Sequence, residues 1–80
     1  MGGELELYGH SYCHLCDEMH ARLLLLGREL SFSVRLIDIH DDPALEERLG
    51  ERVPVLYAGG AELCHYHLDE DAVRSYFSTV

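Results

Sequence analysis

Hydrophobic and polar positions alternate in two stretches of the chain and recur with a helical period between them. Residues 4–8 (ELELY) and 32–39 (FSVRLIDI) alternate with a period of two, which predicts two strands. From residue 13 to about residue 29 the apolar positions are three or four apart, which predicts an amphipathic helix. These apolar positions are Cys16, Met19, Leu23, Leu26 and Leu30.

The segment that follows the second strand predicts a short helix and a hairpin. Asp42 is expected to cap the helix, Pro43 to occupy its first position and Gly50 to end it. Two short apolar runs then flank Gly59 and Gly60. This pair suits the positive φ angles of a two-residue hairpin turn, so two further strands are expected on either side of it.

The last segment predicts a closing helix with an acidic first turn at residues 69–71. Its expected apolar face comprises Leu68, Ala72, Val73, Tyr76 and Phe77. The order of elements is therefore βαβαββα. A strand–helix–strand unit favours a right-handed parallel pair, and the hairpin adds antiparallel strands. We expect an α/β fold with a four-stranded mixed sheet and helices on both faces, as a single domain over residues 1–80.

Cys13 and Cys16 form a C-x-x-C pair between the first strand and the first helix. Residues three apart on a helix are neighbours, so the two sulfurs can bridge with little backbone movement. The free amides and the positive end of the helix dipole favour a thiolate on Cys13. A C-x-x-C in a βαβ pattern indicates a redox site. Three cysteines are an odd number, which argues against a fold held together by structural disulfides. Cys13 and Cys16 are therefore the candidate catalytic residues.

Charge and composition narrow the partners and the location. Fifteen acidic residues face six basic ones, which gives a formal charge of −9. Such a surface repels phosphate backbones and anionic lipid, so we expect neither nucleic-acid nor membrane binding. The first ten residues show no signal-peptide pattern, and no apolar run approaches the roughly 20 residues of a membrane span. We expect a cytoplasmic protein, and a monomer.

Two segments, LYGHSYCHLCDEM and RVPVLYAGGAELC, resemble the glutaredoxin-like family of small bacterial proteins in the thioredoxin-like superfamily. The resemblance spans essentially the whole chain and implies a thiol–disulfide oxidoreductase that serves cell redox homeostasis. It implies that Cys13 attacks a substrate disulfide and that Cys16 resolves the mixed disulfide. It also implies a cis peptide bond between Val53 and Pro54, close to the cysteines. Tyr12, His14, Val53 and Pro54 are expected to bind substrate, Val53 through its backbone.

The chain departs from the glutaredoxin pattern at two places. Glutaredoxins commonly have Cys-Pro-Tyr-Cys, whereas the inner pair here is His14-Leu15. A histidine there either favours the reduced thiolate or is simply exposed to solvent. Glutaredoxins also hold glutathione with a Gly-Gly turn followed by an acid, and here Cys64 and His65 stand near those glycines. The chain has no lysine and is anionic, as glutathione is.

These departures from the glutaredoxin pattern determine which substrates and partners we expect. We expect weak use of glutathione as a co-substrate, and no other cofactor. The expected partner is a thiol or disulfide of a protein or small molecule, neutral or cationic in charge. Arg52, which directly precedes Val53, is the residue that could bind a carboxylate of glutathione and reverse this expectation.

Cys64 leaves a second function open. The end of the fourth strand is expected near the Val-Pro turn, where Cys64, His65 or His67 would approach the C-x-x-C pair. Two cysteines with a further cysteine and a histidine form a tetrahedral zinc set. The alternative function is therefore a non-enzymatic module that binds metal, as zinc or an iron–sulfur cluster, or a partner. Cys64 is otherwise a small buried hydrophobic residue.

Four further side chains near the predicted site have open or minor roles. Glu6 is close to the place where thioredoxins keep a buried acid, so it is either a proton shuttle or a solvent-exposed residue. His10, His20 and His40 have no evident partners in the pattern and are expected to be exposed.

Overall fold

The computed structural model describes residues 3–11 and 13–78. The elements are β1 (Gly3–Gly9), α1 (His14–Leu30), β2 (Phe32–Asp38), a 3₁₀ turn (Ile39–Asp41), α2 (Pro43–Leu49), β3 (Val55–Ala58), β4 (Ala61–His65) and α3 (Glu70–Ser78). Their order, βαβαββα, is the predicted one.

The described strands form one mixed sheet in the order β2-β1-β3-β4. β1 pairs parallel with β2 and antiparallel with β3, and β3 and β4 form the expected hairpin. Gly59 and Gly60 make its turn with φ angles of 57° and 84°, which glycine adopts without steric cost. β1 is thus an inner strand, and the loop after its C-terminal end leads to Cys13 and then to Cys16 in the first turn of α1.

Local capping explains where the helices begin and where β2 ends. Asp42 accepts hydrogen bonds from the N–H groups of Ala44 and Leu45, and Pro43 is the first residue of α2, as predicted. Asp38 accepts a hydrogen bond from the N–H of His40 and so starts a 3₁₀ turn. β2 therefore ends at Asp38, one residue before its predicted end.

Apolar side chains on the two faces of the sheet form two separate clusters. The larger cluster lies under α1 and α3 and contains Leu5, Leu7, Met19, Leu23, Leu26, Phe32, Leu56, Ala58 and Val73. The smaller cluster lies towards α2 and contains Cys16, Ile39, Leu49, Val53 and Val55. The alternation along β1 and β3 sends successive residues to opposite clusters. Helices therefore cover both faces, as predicted.

The face of α3 differs from its prediction at two positions, Leu68, which precedes the helix, and Tyr76. Val73 is fully buried and Phe77 packs on the larger cluster. Tyr76 was expected on the same face but is 43% exposed, with its ring edge to face against Phe77 at 5.0 Å. Because α3 is short, only a narrow strip of its surface is buried against the sheet. The apolar residues predicted for its face cover a wider strip than that.

Within residues 3–11 and 13–78, none of the helices combines the length and the apolar character that crossing a bilayer requires.

Candidate active site

Cys13 and Cys16 are joined by a disulfide bond at the N-terminus of α1, with Cα atoms 5.2 Å apart. Cys13 is the N-cap residue of the helix. The N–H of Cys16 donates a hydrogen bond to the Sγ of Cys13 at 3.2 Å, and the N–H of Asp17 donates to the Cys13 carbonyl at 3.1 Å. A free amide of the first helical turn therefore points at the Cys13 sulfur, where it would stabilise the negative charge of the thiolate that reduction produces.

The two sulfurs differ in access. Cys16 is 5% exposed and belongs to the smaller cluster, whereas Cys13 is half-buried at the edge of that cluster. Gly9 at the end of β1 allows Cys16 this position, because a Cβ on Gly9 would lie 2.9 Å from the Cys16 Sγ. The sequence pattern gave no sign of this contact, since nothing local to Gly9 marks which residue packs on it.

The peptide bond between Val53 and Pro54 is cis, which confirms the geometry that the resemblance implies. Val53 belongs to the smaller cluster together with Cys16, and Pro54 is fully buried. Among residues 3–11 and 13–78, no backbone hydrogen bond is made by Val53. Its N–H and C=O groups are thus free to pair with an extended chain, although its predicted role in binding substrate stays a prediction.

Tyr66, directly after β4, connects the end of the hairpin to the cis-proline segment. Its N–H donates to the Pro54 carbonyl at 2.9 Å, and its hydroxyl donates to the carbonyl of Glu51. Its φ angle is 64°, and the N–H of His67 donates to the carbonyl of His65 at 2.7 Å. A three-residue turn with positive φ at its centre is rare and strained, and such residues cluster at functional sites.

Cys64 and His65 are the residues expected near the place of the glutaredoxin glycine turn. Both lie in β4, and the turn begins at His65 with Tyr66 at its centre. Asp69 accepts a hydrogen bond from the N–H of Ala72 at 3.0 Å and so caps α3. A tyrosine in a left-handed conformation has no local sequence signature, so the pattern could not identify it.

His14 is the first residue of α1, and its side chain is 91% exposed. Its Nε2 atom lies 3.6 Å from a carboxylate oxygen of Glu18. His14 thus directly follows the more accessible cysteine in the chain, and its imidazole is free in solvent apart from the contact with Glu18. Tyr12 lies outside the described residues.

Cys64 does not approach the C-x-x-C pair. It packs on the larger cluster, whereas Cys13 and Cys16 belong to the smaller one. Burial raises the pKa of the Cys64 thiol, and a hydrogen bond from the Asp69 backbone offsets this only in part. In the part of the chain that the structure describes, no group of three or more histidine, cysteine or acidic side chains could hold a metal ion. The geometry of the predicted metal set is therefore absent there.

Arg52 is occupied by a protein carboxylate. Its guanidinium donates a hydrogen bond to Glu62, whose other oxygen lies 2.7 Å from Nδ1 of His65. Burial alone would raise the pKa of Glu62, but the hydrogen bonds from His65 and Arg52 outweigh it and hold this pKa below its ordinary value. The arginine that could have received a glutathione carboxylate is thus already paired.

Three other arginines also pair with acids. These pairs are Arg22–Glu70, Arg74–Glu29 and Arg35–Glu6. The pKa values of Glu70 and Glu29 are lowered by hydrogen bonds from their arginines. Glu6 is 3.8 Å from Arg35 and its side chain is 31% exposed. Because Glu6 lies between Leu5 and Leu7, it faces away from the larger cluster, and it is not a buried acid.

A cavity of about 240 Å³ opens beside Cys16, between the end of β1, the first turns of α1 and the end of β2. Its polar lining residues include His10, Asp17, His20 and Asp38. His40 is exposed, as expected, whereas His10 and His20 are half-buried. The rings of His10 and His40 contact each other with centroids 5.1 Å apart. His40 Nδ1 also lies 2.9 Å from Glu46.

Two solved structures are similar to this chain throughout its length. The protein Ne2328 from Nitrosomonas europaea is 40% identical, with a TM-score of 0.86 and coverage of 95% of this chain and 92% of that one. The protein XcR50 from X. campestris is 36% identical, with a TM-score of 0.69 and coverage of 95% and 97%. A thioredoxin 1 from Thermosipho africanus, 14% identical with a TM-score of 0.65, covers 94% of both chains and shows the same fold.

The fold is thioredoxin-like, and a disulfide-bonded cysteine pair stands at the N-terminus of α1. Residues 4–78 match the model of the glutaredoxin-like domain (DUF836). The chain belongs to this glutaredoxin-like family, as the resemblance indicated.

Proposed function

We propose that this protein is a small thiol–disulfide oxidoreductase in which Cys13 is the nucleophile and Cys16 the resolving thiol. The observation that carries the proposal is the hydrogen bond from the Cys16 N–H to the Cys13 Sγ at the start of α1. An amide and a helix N-terminus directed at a sulfur favour its thiolate, which is the reactive form. Cys13 is also the more accessible of the two sulfurs.

The proposed reaction transfers two electrons to the substrate. The Cys13 thiolate attacks one sulfur of the substrate disulfide, forms a mixed disulfide and releases the other substrate sulfur as a thiolate. The Cys16 thiolate then attacks the Cys13 sulfur, forms the Cys13–Cys16 bond and releases the second substrate thiolate. Both released thiolates take up protons, and an external dithiol or thiol reduces the protein again.

The substrate-binding residues in this proposal are Tyr12, His14, Val53 and Pro54. The unpaired backbone of Val53 supports pairing with an extended substrate segment beside Cys13. His14 directly follows Cys13 in the chain, and its imidazole is exposed to solvent.

The proposed substrate is a neutral or cationic disulfide, with a protein as the favoured source. The formal charge of −9 and the pairing of Arg52 with Glu62 support this choice over anionic glutathione. A dithiol enzyme of this kind would act as a monomer in the reducing cytoplasm, where cysteines stay largely reduced.

The test uses single cysteine variants in the reduction of a fluorogenic disulfide peptide. Cys13→Ser should abolish turnover, and Cys16→Ser should accumulate a mixed disulfide that mass spectrometry detects on Cys13. Cys64→Ser is the matched control and should retain turnover. Full activity of Cys13→Ser, or a mixed disulfide on Cys64, would contradict the proposal.

A further inference from the structure

The second step of the proposed reaction needs a group that removes the proton of Cys16. Cys16 is 5% exposed, so bulk water has little direct access to its sulfur. Leu5 and Leu7 are fully buried in the strand that leads to the cysteines. Glu6, between them, faces the other way and lies near Arg35. In residues 3–11 and 13–78, no charged side chain is buried, so the proton must leave by another route.

The cavity beside Cys16 offers that route. It is lined by Cys16 and by polar side chains, and its volume of about 240 Å³ holds several water molecules. His20 lines the same cavity, one helical turn after Cys16. Residues four apart on a helix are neighbours on one face. The imidazole is therefore within reach of the Cys16 sulfur through one or two waters.

Of the two histidines that line the cavity, His10 and His20, His20 is the one whose ring is available to accept a proton. It is half-buried, and its ring makes no hydrogen bond or ion pair with any other described residue. His10 differs, because its Nδ1 atom lies 2.9 Å from the Ser11 carbonyl and its ring contacts His40. Asp38 is engaged as well, since it accepts a hydrogen bond from the N–H of His40.

We propose that His20 accepts the proton of Cys16 through cavity water during resolution of the mixed disulfide. The inference rests on the proposed function. In this step the Cys16 S–H bond breaks and an imidazole N–H bond forms. The resulting thiolate attacks Cys13, and His20 later returns the proton to solvent or to the departing thiolate.

The other charged groups around the cavity favour this transfer. The titratable side chains that face it are His10 from the loop after β1, Asp17 from α1 and Asp38 from the end of β2. The two carboxylates stabilise the imidazolium that forms. Imidazole is also the side chain that ordinarily exchanges protons near neutral pH.

The test separates the two chemical steps in time. The reduced protein, with Cys64→Ser in every variant, is mixed with one equivalent of dithiobis-nitrobenzoate, and the coloured thiolate is followed by stopped flow. Attack by Cys13 releases the first thiolate and resolution by Cys16 releases the second. His20→Gln should slow the second phase about tenfold or more near pH 7 and leave the first unchanged. The deficit should shrink as the pH rises, because a growing fraction of the Cys16 thiol then ionises without a protein base.

Two further variants make the result specific. His67→Gln is the control, because His67 lines a different cavity, on the other side of α1, and should leave both phases unchanged. Added imidazole should restore the second phase of His20→Ala, as expected for a lost proton acceptor. An unchanged second phase in His20→Gln would overturn the inference, as would a slow phase that imidazole does not restore.

The same experiment distinguishes failure of the underlying function. If the protein without a His20 change releases only one thiolate, or if Cys13→Ser still releases two, the assignment of the cysteines is wrong. If both phases are present and depend on Cys13 and Cys16, the function stands and only the role of His20 is at issue.

Discussion

The N–H of Tyr66 donates a hydrogen bond to the Pro54 carbonyl across 2.9 Å. The Tyr66 hydroxyl also donates to the carbonyl of Glu51. One residue after β4 thus holds both ends of the segment that carries the cis proline. The position of that segment beside the cysteines depends on a residue from another part of the chain.

Removing the Tyr66 hydroxyl should loosen this connection. We expect Tyr66→Phe to lower the free energy of unfolding by about 1 kcal/mol, because a typical hydrogen bond contributes that much. Chemical denaturation measures the change. Tyr76→Phe is the control and should have little effect, since Tyr76 is 43% exposed and its hydroxyl has no hydrogen-bond partner among the described residues. Equal losses in both variants would contradict the role assigned to Tyr66.

Adding a methyl group at Gly9 should displace Cys16. A Cβ there would lie 2.9 Å from the Cys16 Sγ, and overpacking of this kind typically costs about 1–3 kcal/mol. We expect Gly9→Ala to lose that stability under reducing conditions, as measured by denaturation. In a Cys16→Ala background the loss should be smaller, because the sulfur is gone. The same loss in both backgrounds would show that the contact with Cys16 is not the cause.

The three thiols of the reduced protein should alkylate at different rates. Cys13 combines access with a helix N-terminus, Cys16 is buried, and burial raises the pKa of Cys64. We therefore expect Cys13 to react with iodoacetamide about tenfold or more faster than Cys64 near pH 7. Peptide mass spectrometry after timed quenching measures the order. If Cys64 reacted first, the assignment of the nucleophile would be wrong.

Acid should weaken the contacts of Glu62. Its pKa is lowered in the folded protein by His65 and Arg52, so its contribution to stability is present above the ordinary glutamate pKa and is lost as the pH falls through the folded value. We expect Glu62→Gln to cost roughly 0.5–1 kcal/mol near pH 6, and this difference from wild type to shrink towards pH 3.

The control for this measurement is Glu47→Gln, because Glu47 is exposed on α2 and makes no ion pair with another described residue. Its effect on the free energy of unfolding should be small at every pH. A cost of Glu62→Gln that stays constant between pH 6 and pH 3 would contradict the assigned role of the carboxylate.

Surface charge should select among substrates. We expect a cationic disulfide peptide to be reduced faster than its anionic counterpart, and a glutathionylated peptide to be a poor substrate. Electrostatic steering changes encounter rates by about 10- to 1,000-fold and weakens with salt. Initial rates measured across ionic strength test this. Efficient turnover of the glutathionylated peptide, independent of salt, would contradict the proposed substrate class.

The features of the fold that could be predicted from the sequence are those that depend on local residue patterns. The strands, the capped helix from Pro43 and the glycine turn all follow from residue periodicity and backbone preference, and the structure agrees with them. The cis bond before Pro54 came from the family resemblance alone, because an isolated X-Pro bond favours trans.

The rest depends on contacts between distant segments. The pairing of Arg52 with Glu62 and the approach of Gly9 to Cys16 join residues that no local pattern connects. The left-handed conformation of Tyr66 contradicts its own residue preference and is held by hydrogen bonds to Pro54 and Glu51. Contacts of this kind can be identified only when the three-dimensional structure is known.

The two clusters of buried side chains differ in size and in the elements that they hold together. Nine buried residues in the larger cluster hold α1 and α3 on the sheet, whereas five, Cys16 among them, form the smaller one. Because stability scales with buried apolar surface, the smaller side opens at a lower free energy than the whole fold. We therefore expect amide hydrogens of α2 and the cis-proline segment to exchange before those of β1, as hydrogen-exchange measurements would show.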